Sequence, residues 1–127
     1  MVHELLFVGV GGATGSMARY LLASNVLVGC SLWGFPAGTF AVNIIGSILI
    51  GLLMGILQDG SALQWFFVTG LCGGFTTFST FSADTIRLLK LEKWDAAMLY
   101  IVLSVIVALL CTSAGWWLGS SLKKLFA

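Results

Sequence analysis

The sequence predicts an all-α integral membrane protein of four transmembrane helices, the third of them broken, that pairs as an antiparallel, dual-topology homodimer. Three observations carry this. The 127 residues are 59% hydrophobic and 9% charged, with a mean hydropathy of +1.06, whereas a soluble domain carries about 25% charged residues. The charges punctuate long apolar runs. Inside one run stands Gly73-Gly74-Phe75-Thr76-Thr77-Phe78-Ser79-Thr80-Phe81-Ser82, in which paired glycines weaken a helix and unwinding exposes backbone groups that lipid cannot satisfy.

Glu4, Asp59, the group Arg87–Asp95 and Lys123/Lys124 separate the runs. A helical span needs ~20 residues, which gives spans at about 4–27, 36–58, 62–88 and 95–121 of one domain, residues 1–127. The first apolar run lacks a positive n-region and outlasts the h-region of a signal peptide, so it is expected to be retained as a span. A turn is expected near Ser24–Trp33, and Pro36 suits the first turn of the second helix. Asp59-Gly60-Ser61 breaks the chain before the third span, with Ser61 or Asp59 as its cap. Short loops imply that successive spans run in opposite directions.

Four spans put both termini on one side. Lys123 and Lys124 lie there, against Arg87, Lys90 and Lys93 opposite, with Arg19 a fourth near the end of the first span. The positive-inside rule needs an asymmetry to set orientation, so insertion in both directions is expected. Gly11-Gly12-x-x-Gly15 and Gly46-x4-Gly51-x3-Gly55 allow close helix approach. Dual orientation with close packing points to a two-fold antiparallel dimer, the two-chain form of an inverted repeat.

Polar residues at membrane depth are the candidates for function. Arg19 is either a snorkelling end-of-helix cation or a functional charge that attracts anions at an entrance. Thr39 and Asn43 are four apart and share a helix face; the Asn43 carboxamide either bonds a neighbouring helix or offers N–H to an anion. Tyr100 and Ser104 share a face of the fourth span, while Trp116 and Trp117 fit an interfacial belt. Phe78 and Phe81 share a face among Thr76, Thr77, Ser79 and Thr80. Ring edges are electropositive, so edges, amides and hydroxyls together could dehydrate an anion without a fixed charge to trap it. Residues Gly73 to Thr77 are expected to form the break, where freed carbonyls could hold a cation. Asp84 is an acid beside that route, with Arg87 as its i+3 partner.

Other classes find little support. His3 is the sole histidine, and no nucleophile–base pair, zinc spacing or phosphate loop occurs, which points away from an enzyme. Gly9-x-Gly11-Gly12-x-x-Gly15 lacks the strand context of a dinucleotide fingerprint. Cys30, Cys72 and Cys111 have no metal-ligand spacing and read as small packing residues. The net charge of +1 argues against a nucleic-acid partner.

Four motifs resemble the Fluc (CrcB) family of fluoride channels. They are Gly11-Gly12-Ala13-Thr14-Gly15-Ser16-Met17-Ala18-Arg19-Tyr20, Gly38-Thr39-Phe40-Ala41-Val42-Asn43-Ile44-Ile45-Gly46-Ser47, Gly70–Ser82, and Tyr100-x3-Ser104. The third is highly specific. The resemblance implies passive, selective export of fluoride from the bacterial cytoplasm across the inner membrane, through two pores of an antiparallel homodimer. It implies a structural sodium ion at the dimer centre, held by main-chain carbonyls of Gly73 and Thr76 from each subunit. Phe78 and Phe81 match the family's pore phenylalanines and Asn43 its pore asparagine. Ser79, Thr80, Tyr100 and Ser104 match polar residues along the route, and Arg19 the first-motif arginine. One competitor is a small antiparallel four-helix transporter of another solute. Such transporters place a carboxylate in the first span, and this chain has no acid from Val8 through Gln58. A second competitor is a structural membrane subunit that packs through its glycines.

Overall fold

A computed structural model describes residues 1–127. Helix α1 spans Val2–Leu21, and its turns widen to an i→i+5 pattern over Leu22–Val26. A tight hairpin follows, with β1 (Ser31–Leu32) antiparallel to β2 (Phe35–Pro36). Its two turn residues, Trp33 and Gly34, both have positive φ, 49° and 89°. That is the sense of turn that matches strand twist. Pro36 occupies the capping position before α2 (Ala37–Ile56), where its missing N–H costs no bond.

Gly60 turns the chain with φ 75°. Ser61 then caps α3 (62–75) by accepting the Gln64 N–H at 3.2 Å, while the Gln64 side chain accepts the Gly60 N–H at 2.9 Å. These reciprocal bonds satisfy two donors that a helix start leaves orphaned. Within α3 the turns are wide over Trp65–Cys72 and regular over Gly73–Phe75. Thr76 (φ −77°, ψ 157°) and Thr77 (φ −150°, ψ 116°) are extended. Helix α4 (Phe78–Lys90) resumes beyond them, and a short turn leads to α5 (Trp94–Phe126). The interruption is narrower than the glycine pair suggests, since Gly73 and Gly74 are themselves helical.

Three helical stretches, Val2–Val26, Ala37–Ile56 and Trp94–Phe126, are each long and apolar enough to cross a membrane. The fourth segment consists of α3 and α4. At 1.5 Å per residue the 33 residues of α5 extend roughly 50 Å, beyond the ~30 Å hydrocarbon layer. Only 21 of 127 residues are buried, and the exposed ones include Leu5, Val102, Ile106 and Leu109. Such a surface belongs in lipid rather than water.

Glycines mesh the helices in two pairs. A Cβ on Gly11 or Gly15 of α1 would run into backbone of Phe66 and Leu71, and one on Gly70 or Gly74 into backbone of Val8 and Gly12. Gly51 and Gly55 of α2 meet backbone of Thr112, Trp116 and Ser120 in the same way, and Gly115 and Gly119 return the contact at Ile48 and Leu52. In both pairs the contacts advance together along the two chains, so α1 and α3 are parallel, as are α2 and α5. Backbones this close gain dispersion contacts along the whole crossing. At the hairpin end Phe35, Leu88, Ala97 and Tyr100 form a buried cluster that ties α4 to α5.

Candidate functional site

Thr77 is the hub of the interruption. Its N–H donates to Asn43 Oδ1 at 2.7 Å, and its carbonyl accepts Asn43 Nδ2 at 3.0 Å. Its Oγ1 accepts the Thr80 N–H at 3.1 Å, which caps α4. The same hydroxyl donates to Thr80 Oγ1 and shares a hydrogen bond with Ser79 Oγ. An extended residue between helices must find partners for both backbone groups. The α2 carboxamide provides both.

These bonds divert two helical donors. In an uninterrupted helix the Thr77 N–H would bond the Gly73 carbonyl and the Thr80 N–H the Thr76 carbonyl. Here they go to Asn43 and to the Thr77 hydroxyl. The Gly74 carbonyl is held separately: Arg19 Nε donates to it at 3.1 Å and Ser16 Oγ at 3.4 Å. Arg19 is thereby anchored to the end of α3 instead of reaching only for headgroups. Gly73 is exposed, and a Cβ there would meet nothing within 4 Å.

Beside the interruption lies an open groove of about 410 Å³ on one face of α2, α4 and α5. Asn43, Thr76, Thr77, Phe78, Phe81 and Ser104 line it. Phe78 is 79% exposed, and its ring centroid lies 5.5 Å from that of Phe81 at 53°. Phe81 in turn meets Tyr100 at 5.0 Å and 65°, an edge contact. Ser104 Oγ is buried and has no hydrogen-bond partner. A buried hydroxyl without a partner is uncommon and calls for a ligand or water to satisfy it.

Thr39 and Tyr100 lie elsewhere. Thr39 shares a helix face with Asn43, but its hydroxyl donates to Asp84 Oδ2 at 2.7 Å. The Tyr100 hydroxyl donates to the same oxygen at 3.4 Å, and its ring stacks on Phe35 at 4.9 Å. Arg87 Nη1 donates to Asp84 Oδ1 at 3.2 Å, so the i+3 pairing is present. A carboxylate only 5% exposed needs such donors to remain in an apolar setting. Ser79 is exposed and lines none of the larger cavities. Thr39, Thr80 and Arg19 line a smaller cavity of about 100 Å³ that has Thr77 in its wall, as the groove does. Thr77 as hub and Asp84 as a shared acceptor are the residues that sequence reasoning undervalued. A threonine immediately before a resumed helix, with Thr80 three residues on, was the available capping signal.

Residues 6–116 match the family described as CrcB-like protein, Camphor Resistance (CrcB). The chain is 41% identical over 127 residues to a protein of Bacteroides fragilis named fluoride-specific ion channel FluC, covering 96% of this chain and all of that one. It is 43% identical over 124 residues to a protein of the same name from Paracoccus denitrificans, covering 96% and 98%. A third, from Flavobacterium psychrophilum, is 42% identical over 129 residues, covering 97% and 98%.

Proposed function

The chain belongs to the CrcB-like family, and on that premise we propose that it is a fluoride channel of the bacterial inner membrane that passes fluoride passively through two pores of an antiparallel homodimer. The observation that carries the reading is the groove in which Phe78, Phe81 and the unpartnered Ser104 hydroxyl come together beside Asn43 and Thr77. Fluoride is small and strongly hydrated. Ring edges of Phe78 and Phe81 and the hydroxyl of Ser104 replace part of its water shell without binding it so tightly that it cannot leave. Thr80 and Thr39 continue the polar route, Ser79 supports it through its hydrogen bond with the Thr77 hydroxyl, and Arg19 supplies positive potential near Thr77. Asn43 holds the Thr77 backbone in place and retains a second amide N–H for the groove.

A structural sodium ion fits the carbonyls of Gly73 and Thr76. Hard cations take oxygen ligands, and both carbonyls lose their helical donors at the break, as does that of Gly74, which Arg19 and Ser16 take instead. Gly73 faces open space, so a second copy related by a two-fold axis can approach there and contribute the same pair. Bound there, the ion would supply a fixed positive charge close to the anion route.

The competing transporter reading needs an acid that exchanges protons. Asp84 is the buried acid of the chain, and Thr39, Tyr100 and Arg87 already hold it. The test is fluoride efflux from liposomes containing the purified protein, with chloride as the control ion. Wild type is expected to release fluoride and retain chloride. Phe78→Ile and Phe81→Ile are each expected to reduce efflux by at least ~100-fold, an electrostatic loss of about 2.7 kcal/mol. Equal passage of chloride, or no fluoride efflux from wild type, would reject the assignment.

A further inference from the structure

Away from the junction, α2 and α5 form an apolar groove of about 510 Å³ near the C-terminal end of α2. Met54, Leu109, Thr112, Ser113, Trp116 and Trp117 line it. Met54, Leu109, Trp116 and Trp117 are all more than half exposed. Tryptophan marks the edge of the hydrocarbon layer. Trp94, at the start of α5, and Trp116 are 22 residues apart, roughly 33 Å along the axis and close to the ~30 Å of that layer. Lys123 and Lys124 follow Trp116 and Trp117 by seven residues each. Seven residues are nearly two full turns, so the lysines stand over the same face about 10 Å further out, at headgroup depth. Both are exposed, and neither forms an ion pair. No acidic side chain follows Asp95 on α5, Asp59 beyond the end of α2 pairs with neither lysine, and Glu4 is taken by the N-terminal amine.

We propose that the groove and the two lysines form a binding site for an anionic phospholipid, with an acyl chain lying against Met54 and Leu109 and the phosphate held by Lys123 and Lys124. The proposal needs only that the protein spans a membrane, so it stands apart from the ion the protein carries. Leu109 precedes Trp116 by seven residues and so lies about 10 Å deeper. From depth to surface the face is apolar, then aromatic, then cationic. That is the order of acyl chain, glycerol boundary and phosphate in a phospholipid. Two lysines without acids to offset them favour a headgroup of net negative charge over a zwitterionic one. A second copy of the chain fits less well. Run antiparallel, it brings the Arg87–Asp95 segment to this depth, with three cations against two acids and no negative surplus for the lysines. In the antiparallel pair proposed above, one such site opens to each leaflet.

The test is native mass spectrometry of the full-length protein, released from micelles that contain phosphatidylglycerol or phosphatidylethanolamine of the same acyl chains. Wild type is expected to retain the first lipid and lose the second. The double variant Lys123→Gln/Lys124→Gln is expected to retain roughly tenfold less phosphatidylglycerol. Met54→Trp, which fills the groove and leaves the charge intact, is expected to lose it as well. Lys90→Gln, which removes a cation at the other end of the molecule, is expected to match wild type. Melting curves in the same lipids give a second readout: phosphatidylglycerol is expected to raise the melting temperature of wild type but not of the double lysine variant. Equal retention of the two lipids by wild type, unchanged retention in the double lysine variant or in Met54→Trp, or an equal loss in Lys90→Gln would each overturn the site. A shift of Met54→Trp from dimer to monomer by light scattering, with phosphatidylglycerol still retained, would assign the groove to a second copy instead.

Discussion

Asn43 is bonded through both ends of its carboxamide to one residue, Thr77, 34 positions away. That double bond lets an extended residue sit between two helices without unsatisfied backbone. Removing it leaves a donor and an acceptor unpaired, at about 1–3 kcal/mol for each that water cannot reach. Asn43→Ala is therefore expected to lower the thermal midpoint in detergent and to reduce fluoride efflux together. Ser47→Ala serves as the control, because the Ser47 hydroxyl donates only to the Asn43 carbonyl of its own helix. A scanning-fluorimetry melt in which the two variants coincide would remove Asn43 from this role. The Arg87–Asp84 bond is of another kind: the guanidinium is largely exposed, while the carboxylate is buried and depends on its donors. Its importance lies in the charge it offsets.

At the scale of elements, α1 with α3 and α2 with α5 are held by reciprocal glycines, with main chain against main chain. A Cβ on Gly15 would stand 2.8 Å from the Phe75 nitrogen, and neither backbone can yield without separating the helices. Gly15→Val is expected to abolish the monodisperse peak in gel filtration. Gly9→Ala, where nothing lies within 4 Å, is expected to elute as wild type and to raise stability by no more than about 1 kcal/mol, the helix-propensity difference. The motifs Gly11-Gly12-x-x-Gly15 and Gly51-x3-Gly55 were legible as close-approach surfaces. Their partners, Gly70/Gly74 and Gly115/Gly119, were not identified from spacing, because a small-residue pattern does not say which helix it meets. The α3–α4 junction shows the same limit. Paired glycines point to a weak helix, but the extended residues are Thr76 and Thr77, where Asn43 captures the backbone.

At the scale of the whole molecule, the proposed antiparallel dimer makes three predictions. Epitope tags at the C-terminus should be detected on both sides of the membrane in comparable amounts, and a single orientation would exclude the arrangement. Gly73→Val leaves the protomer packing intact, since the site is open, yet it would obstruct a second copy at the two-fold axis. The variant is expected to run as a monomer by light scattering. Replacing sodium with a large organic cation is expected to lower the melting temperature of wild type but not of Gly73→Val. Equal sensitivity of the two proteins would place any sodium effect away from this junction.

The sequence by itself determined the membrane class, the order and approximate limits of the spans, and the family. Those depend on local runs of hydrophobicity, on charges at the ends of runs and on the Gly70–Ser82 motif, all read along the chain. The tertiary structure decided what each polar side chain does. Arg19 bonds Gly74, Thr39 bonds Asp84 and Asn43 bonds Thr77, across separations of 55, 45 and 34 residues. Thr39 and Asn43 share a face by helical spacing, yet they meet α4 and the junction before it at different heights. The physical reason is that lipid leaves no buried polar group to be satisfied by water. A group that its own helix does not satisfy, as it does the Ser47 hydroxyl, must look to another helix, and which partner it meets there depends on the crossing of helices, not on its neighbours in sequence.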